Sequence, residues 1–263
     1  MALLKAEKIA KVSKIVKMSI IMPAYNLEDK IEESIKEVEK ILNEINENYE
    51  IIIVDDGSKD KTYEKASALA NEKIIVLKNG INLGKGEAIK KGTKYAKGEY
   101  TIILDADRDI QPINLKEYIN ILKNYDIIVG SKRHPKSKYQ APFMRKILSI
   151  GFNKLVKLFV GIKLGDTQTG FKAFKTKYLK TIMNAIVVKR YSWDVEALLI
   201  ANLLKLKIAE APVEIKQNAR FSIQIVLKML MEILGILYRY RILHWYQKNL
   251  GKQNIRYKLL LRI

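Results

Sequence analysis

The segment IILDADRDIQP, residues 102–112, runs from an apolar stretch onto three carboxylates at alternate positions, Asp105, Asp107 and Asp109. On an extended segment alternate side chains point the same way, so two or three of these groups would converge at a strand's carboxyl end. Hard oxygen ligands of this kind suit Mg²⁺ or Mn²⁺, which keep several waters and bind substrate phosphate as well. A solvated acidic turn uses the same letters, and the segment alone leaves both readings open.

Other apolar runs also end in polar clusters: Pro23, Ala24, Tyr25 and Asn26; then Asp55, Asp56, Gly57 and Ser58; then Asn82, Gly84, Lys85 and Gly86. If these runs are neighbouring strands, one rim collects all the clusters. Asp55 would accept hydrogen bonds from a base or ribose, Pro23 and Tyr25 would pack on a base, and the glycine-flanked Lys85 would approach phosphates closely. DDGS and NLGKG taken singly are also ordinary turn sequences. The chain has neither GxxxxGK[ST] nor GxGxxG, which argues against P-loop and Rossmann dinucleotide sites.

The elements that must position these residues are legible in the periodicity. MSIIMPAY (18–25), EIIIVDD (50–56), KIIVLK (73–78), EYTIILD (99–105) and DIIVG (126–130) read as buried strands. Between them, helices are expected from Leu27 with apolar residues at 31, 35, 38, 41, 42 and 45, then over 60–71, 85–96 and 113–123. A helix near 192–205 and a strand near 207–215 follow. This alternation, with solidly apolar strands, predicts an α/β fold whose mainly parallel sheet is covered on both faces and binds ligands at the strands' carboxyl ends.

A chain of 263 residues, 48% hydrophobic and 29% charged, is long enough for a full globular core. With no cysteine, disulfides and thiolate metal sites are excluded, and two histidines argue against zinc. No secretory signal is read.

The net charge of +20 is concentrated in residues 1–17, 131–163 and 216–263, which together carry +22 and leave −2 on the other 165 residues. Two of these segments, ILSIGFNKLVKLFVGIK from Ile147 and FSIQIVLKMLMEILGILYRYRILHWY from Phe221, are apolar, helix-like and interrupted by charges including Lys154, Lys157, Lys163, Lys228, Glu232, Arg239 and Arg241. Such helices suit a membrane interface, with Tyr238, Tyr240, Trp245 and Tyr246 near anionic headgroups, better than a membrane crossing. Core helices with solvated lysines are the plainer alternative for each one; three together favour a membrane surface over nucleic acid. The expected organisation is a basic amphipathic segment at 1–17, a catalytic domain at 18–217 containing an interfacial helix at about 143–162, and basic amphipathic helices at 218–263.

SIIMPAYN, IIIVDDGSKDKT, NLGKGEAIKKG, the DAD at 105–107 and DTQTGFKAF, in this order and spacing, resemble family 2 glycosyltransferases of the GT-A fold over about residues 18–215. GSKRHP, GDTQTGFKAF and SWDVEALL are similar to the dolichyl-phosphate glucosyltransferases, with the dolichyl-phosphate mannose synthases as near relatives. The resemblance implies a GT-A nucleotide-binding fold with a mainly parallel mixed sheet. It implies a nucleotide sugar held by Pro23, Ala24, Tyr25, Glu28, Asp55, Asp56, Lys85, Asp105, Ala106 and Arg220, and a Mg²⁺ or Mn²⁺ ion on Asp105 and Asp107 with Asp109 as a third ligand. An acceptor phosphate would meet Lys132, Arg133, Arg145 and Ser149, and the chemistry itself falls to Asp107, Lys132, Arg133 and Arg145.

The chain departs from the family pattern in three places. Leu27 stands where the family has glutamate after PAYN, moving the carboxylate to Glu28; Lys132 stands where an arginine meets the lipid phosphate, losing the bidentate fork; and a later GSK-like segment is reduced to ARFS, leaving Arg220 as its cation. QNARF at 217–221 half-resembles the QxxRW of processive polysaccharide synthases, which carry several spanning helices.

The implied reaction is an inverting transfer from UDP-glucose or UDP-N-acetylglucosamine to dolichyl or polyprenyl phosphate, by a peripheral or monotopic protein at the cytoplasmic face of a membrane. GDP-mannose is the alternative donor. A phosphate acceptor is already ionised, so no strong base is needed and His134 is not required as one. A sugar-hydroxyl acceptor would need a base, for which Asp166 and Asp194 are candidates, with Gln168 near the sugar. Two other classes remain: a non-catalytic basic protein that binds lipid or nucleic acid, and a transferase acting on a hydroxyl without a membrane.

Overall fold

The computed structural model describes residues 16–45, 47–111, 115–161, 164–216 and 223–250. The chain opens with β1 (Met18–Ala24), α1 (Ile31–Ile45), β2 (Tyr49–Asp55), α2 (Thr62–Ser67), β3 (Ile74–Lys78), α3 (Lys85–Tyr95) and β4 (Tyr100–Leu104). β1 pairs in parallel with both β2 and β4, and β2 with β3. Parallel strands covered on two faces cannot alternate apolar with polar, and β2 is accordingly buried at every position.

Successive side chains feed two cores. Ile21, Ile52, Val54 and Ile103 face one cluster, against Ala88 and Ile89 of α3, while Ile20, Met22, Ile51, Ile53 and Ile102 face the other, against Ile31, Ile35, Val38 and Leu42 of α1. The helical spacing read from Leu27 onward is this second contact.

β5 (Ile110–Gln111), α4 (Leu115–Leu122), β6 (Ile127–Ser131), β7 (Lys138–Gln140), α5 (Phe143–Val160), β8 (Phe171–Lys175), α6 (Thr176–Ala185), α7 (Trp193–Leu203), β9 (Ile208–Pro212) and β10 (Glu214–Lys216) follow. The main sheet has the order β3-β2-β1-β4-β8-β6-β9, and β8 runs antiparallel to both neighbours. A small sheet, β5-β10-β7, takes up the chain directly after the acidic turn.

Periodicity missed β8, α6 and the small sheet. β8 carries the fully buried Lys172 inside FKAFK, so its polarity hides a central strand, and β5 and β10 are too short to show a period. The single strand expected near 207–215 is two, because the chain leaves the main sheet after Pro212 and joins the small one at Glu214.

α8 (Ile223–Leu237) continues into a π-helical turn over Tyr238–Ile242 and then helical residues 245–250. Both basic helices are two-sided. α5 buries Phe152, Val156 and Val160 but exposes Phe143, Met144, Ile147, Ile150 and Leu158; the C-terminal segment buries Ile233, Ile236, Tyr246 and Leu250 but exposes Leu227, Met231, Leu234 and Ile242. Tyr246 corrects one expectation: it is not a headgroup residue but is fully buried, its hydroxyl donating to Glu196. Among the described residues no helix is long and apolar enough to cross a membrane. The segment expected at 1–17 and Arg220 lie outside the described residues, apart from Val16 and Lys17.

Candidate active site

Where β1 and β4 end and α3 begins, a cavity of about 440 Å³ opens. Its walls include Pro23, Ala24, Tyr25, Leu27, Asp56, Asn82, Gly84, Lys85, Asp105, Ala106 and Asp107, together with Arg190 and Tyr191. The polar clusters at the strand ends do meet on one rim, as the parallel order demands.

Asp56 is buried and staples the loop before α3: Oδ1 accepts from Asn79 Nδ2 at 2.8 Å and Leu83 N at 3.0 Å, and Oδ2 accepts from Gly84 N at 2.7 Å. Gly84 has φ +104°, and a Cβ there would lie 2.5 Å from Arg190 Cγ and 2.6 Å from Lys189 O, so only glycine closes this loop. The loop delivers Lys85 as the first residue of α3, with Nζ 2.6 Å and 2.7 Å from the two oxygens of Asp105. Desolvation pulls the Lys85 ammonium down, but Asp105, Asp194 and Asp107 outweigh it and its pKa is raised.

Asp105 is seated against Gly170 so closely that a Cβ at residue 170 would fall inside its carboxylate. Two residues on, Asp107 has its carboxyl pushed up to about 6, by desolvation first and then by the charges of Asp105 and Asp109. Asp107, drawn toward its protonated form beside the Asp105 carboxylate, sits in a setting that favours a cation.

The third carboxylate does not join them. Residues 105–109 are a turn rather than an extended segment: Arg108 has φ +64°, Asp109 N donates to Asp107 Oδ1 at 3.0 Å, and Asp109 O accepts from Lys216 N. Alternation fails there, and among the described residues no group of three or more His, Cys, Asp or Glu could hold a metal ion. Asp105 and Asp107 alone still fit Mg²⁺ or Mn²⁺, because such ions complete their shells with water and phosphate oxygen.

Asp55 is fully buried at the end of β2. Its Oδ2 accepts from Ser58 N at 3.3 Å, while Oδ1 has no partner among the described residues. A buried unpaired acceptor of this kind is costly and leaves a place for a ligand N–H or O–H. Glu28 is placed elsewhere: its Oε2 accepts from Lys61 N, and Leu27 takes the cavity wall instead. The turn around Asp60 holds it, since Glu28 N donates to Asp60 Oδ2.

A second cavity, about 290 Å³, adjoins the first through Lys85 and Tyr191, which line both. Lys132, Arg145, Ser149, Gln168 and Asp194 supply its polar wall; Leu148 and Phe152 of α5 and Ile225, Val226 and Met229 of α8 supply its apolar side. Lys132 Nζ lies 2.9 Å from Asp166 Oδ2, and Arg133 turns away, donating to Gly165 O and Ser149 O. Arg133 therefore braces α5 rather than facing the cavity.

The two candidate bases differ. Burial pushes the Asp166 carboxyl up, but Lys132, Thr169 and Gln168 N outweigh it and hold it down to about 2. Asp194, also buried, is raised by desolvation against the opposing charges of Lys172 and Lys85; Lys172 Nζ stands 3.4 Å away. Sequence reasoning missed Arg190, Tyr191, Lys172 and Gly170. The basic and aromatic pair just before SWDVE was the one available signal.

Residues 19–183 match the family model described as Glycosyl transferase family 2. A dolichyl-phosphate β-glucosyltransferase of Trichomonas vaginalis is 35% identical over 243 residues, covering 87% of this chain and 75% of the relative. Another, of Dictyostelium discoideum, is 33% identical over 250 residues, covering 87% and 76%. Among solved structures, glucosyl-3-phosphoglycerate synthase from Mycobacterium tuberculosis in complex with Mn²⁺, UDP-glucose and phosphoglyceric acid has a TM-score of 0.62 at 19% identity, covering 88% of this chain and 80% of that one. That likeness establishes the fold, which is GT-A. With the family model over more than half its length and relatives this similar over most of it, the chain belongs to glycosyl transferase family 2 and is a glycosyltransferase.

Proposed function

We propose that the enzyme moves glucose from UDP-glucose to dolichyl or polyprenyl phosphate, with inversion, at the cytosolic face of a membrane. The observation that carries this reading is the pair of adjoining cavities. One is walled by Asp105, Asp107 and the Asp56-stapled loop, the other by Lys132 and Arg145 with an apolar side between α5 and α8. The names of the relatives, dolichyl-phosphate β-glucosyltransferases, support it.

In the first cavity Pro23 and Tyr25 pack on the base and Lys85 faces the diphosphate; Asp55, buried at the end of β2 and not part of the cavity wall, would offer its unpaired oxygen to a base or ribose donor that reaches past that wall. Asp105 and Asp107 would hold the divalent cation, which when bound neutralises charge developing on the leaving diphosphate. In the second cavity Lys132 and Arg145 orient the acceptor phosphate, with the Ser149 hydroxyl one turn from Arg145. A phosphate oxygen attacks the anomeric carbon, the bond to the diphosphate breaks, and UDP departs; no proton must be removed from the nucleophile. Asp166, held at about 2, is unsuited to be a base, and Lys132 uses it as a counter-ion. The exposed apolar faces of α5 and α8 would rest on the membrane that presents the lipid.

A transfer assay with labelled UDP-glucose, UDP-N-acetylglucosamine and GDP-mannose against polyprenyl phosphate tests this. UDP-glucose is expected to give lipid-linked product, and Asp107→Asn to lower turnover by about 10³-fold while leaving vesicle binding intact. Absence of product with every donor, from folded protein supplied with Mn²⁺, would sink the reading.

A further inference from the structure

The loop over residues 186–192, between α6 and α7, carries Arg190 and Tyr191 onto the wall of the first cavity. Its backbone is held by carboxylates from two directions. Glu196 of α7 accepts from Val187 N at 3.0 Å and Val188 N at 2.7 Å. Glu232 of α8 accepts, through one oxygen, from Tyr191 N at 3.1 Å and Ser192 N at 2.7 Å, and Ser192 Oγ donates to Met229 O of the same helix.

From that loop a continuous set of bonds leads to the diphosphate side. Arg190 donates to Asn82 Oδ1 at 2.9 Å and Asn82 O at 3.3 Å, Lys189 O accepts from Glu87 N in the first turn of α3, and Arg190 Cγ fills the space a side chain at Gly84 would need. Lys85 follows directly. Glu232 is also the sole acid in residues 216–263, which carry ten lysines and arginines.

We propose that Glu232 is a positioning residue for donor binding. It fixes the Arg190–Tyr191 wall, so the seating of the C-terminal α8 sets the affinity for the nucleotide sugar. This rests on the first cavity being the donor site. Glu232 touches no reacting atom; its action passes through two backbone N–H groups that would otherwise lack this acceptor.

The experiment is UDP titration by calorimetry with Mn²⁺, and steady-state kinetics, on the full chain in detergent. Glu232→Ala is expected to weaken UDP and raise the KM for UDP-glucose about tenfold while kcat changes less than about threefold. Glu232→Gln, which keeps an acceptor oxygen, should retain most of the affinity. Arg190→Ala should weaken UDP similarly, and the double variant should lose less than the product of the single losses, because both act on one wall. A merely structural Glu232 would lower the melting temperature and leave the Kd of the folded protein unchanged; that result, or additive losses, overturns the proposal. Should Glu232→Ala not fold, Glu232→Asp, whose shorter side chain draws the acceptor oxygen away from the Tyr191 and Ser192 N–H groups, overturns it equally by binding UDP with the wild-type Kd. Failure of the wild type itself to bind UDP would instead remove the donor reading.

Discussion

At the scale of single residues, two positions carry consequences that composition does not reveal. Gly170 is one, because its missing Cβ leaves the volume that Asp105 occupies. Gly170→Ala is expected to displace that carboxylate, cutting turnover by about 100-fold through misplacement of the site, at a stability cost of about 1–3 kcal/mol from overpacking. Mn²⁺-dependent UDP binding and a urea melt together check it; normal turnover would show that Asp105 tolerates the shift. Asp166 is the other. Its folded pKa of about 2 lies below the unfolded value near 4, so it contributes stability above about pH 4 that is lost as pH falls toward 2. That contribution is about 2 kcal/mol at neutral pH. Unfolding free energies from urea melts of wild type and Asp166→Asn should converge by this amount between pH 4 and pH 2, and a gap that ignores pH would refute the Lys132 pairing as its source.

At the scale of elements, the basic helices show how one amphipathic pattern serves two surfaces. The core takes Phe152, Val156 and Val160 from α5 and Ile233 and Ile236 from α8, while Leu158, 73% exposed, and Met231, 69% exposed, face away. An apolar residue on a monomer's surface needs no explanation singly, but α5 and α8 each carry a set of them, and both helices line the second cavity. Met231→Gln combined with Leu234→Gln is therefore expected to weaken binding to anionic vesicles at least about tenfold, since burying each apolar side chain is worth about 1.5–3 kcal/mol. UDP affinity and melting temperature should not move. Vesicle flotation measures it, and unchanged binding would remove α8 from the membrane-facing surface. The apolar richness of residues 221–246 was readable; its division was not, because the side that packs on Glu196 and α7 is chosen by contacts tens of residues distant.

At the scale of the whole molecule, the parallel core and its functional rim were legible for one physical reason. A strand covered on both faces must be apolar throughout, and such strands, each followed by a helix, leave their carboxyl ends on one side. Pro23, Asp56, Lys85 and Asp105 could thus be expected on one rim from local pattern alone. The same local logic failed at Asp109, because it assumed an extended chain where Arg108 adopts a left-handed turn. It failed at β8, because a buried lysine paired with Asp194 reads as polar surface. The periodicity, the charge segregation and the ordered motifs specified the fold class, the family and most of the rim, since each is a property of residues near one another in the chain. The two-carboxylate geometry, the turning away of Glu28 and Arg133, the antiparallel insertion of β8 and the bond from Glu232 to the donor wall came only with folding. Each joins groups whose meeting depends on how distant segments close against one another, and the direction of a side chain there is set by the partner that satisfies it.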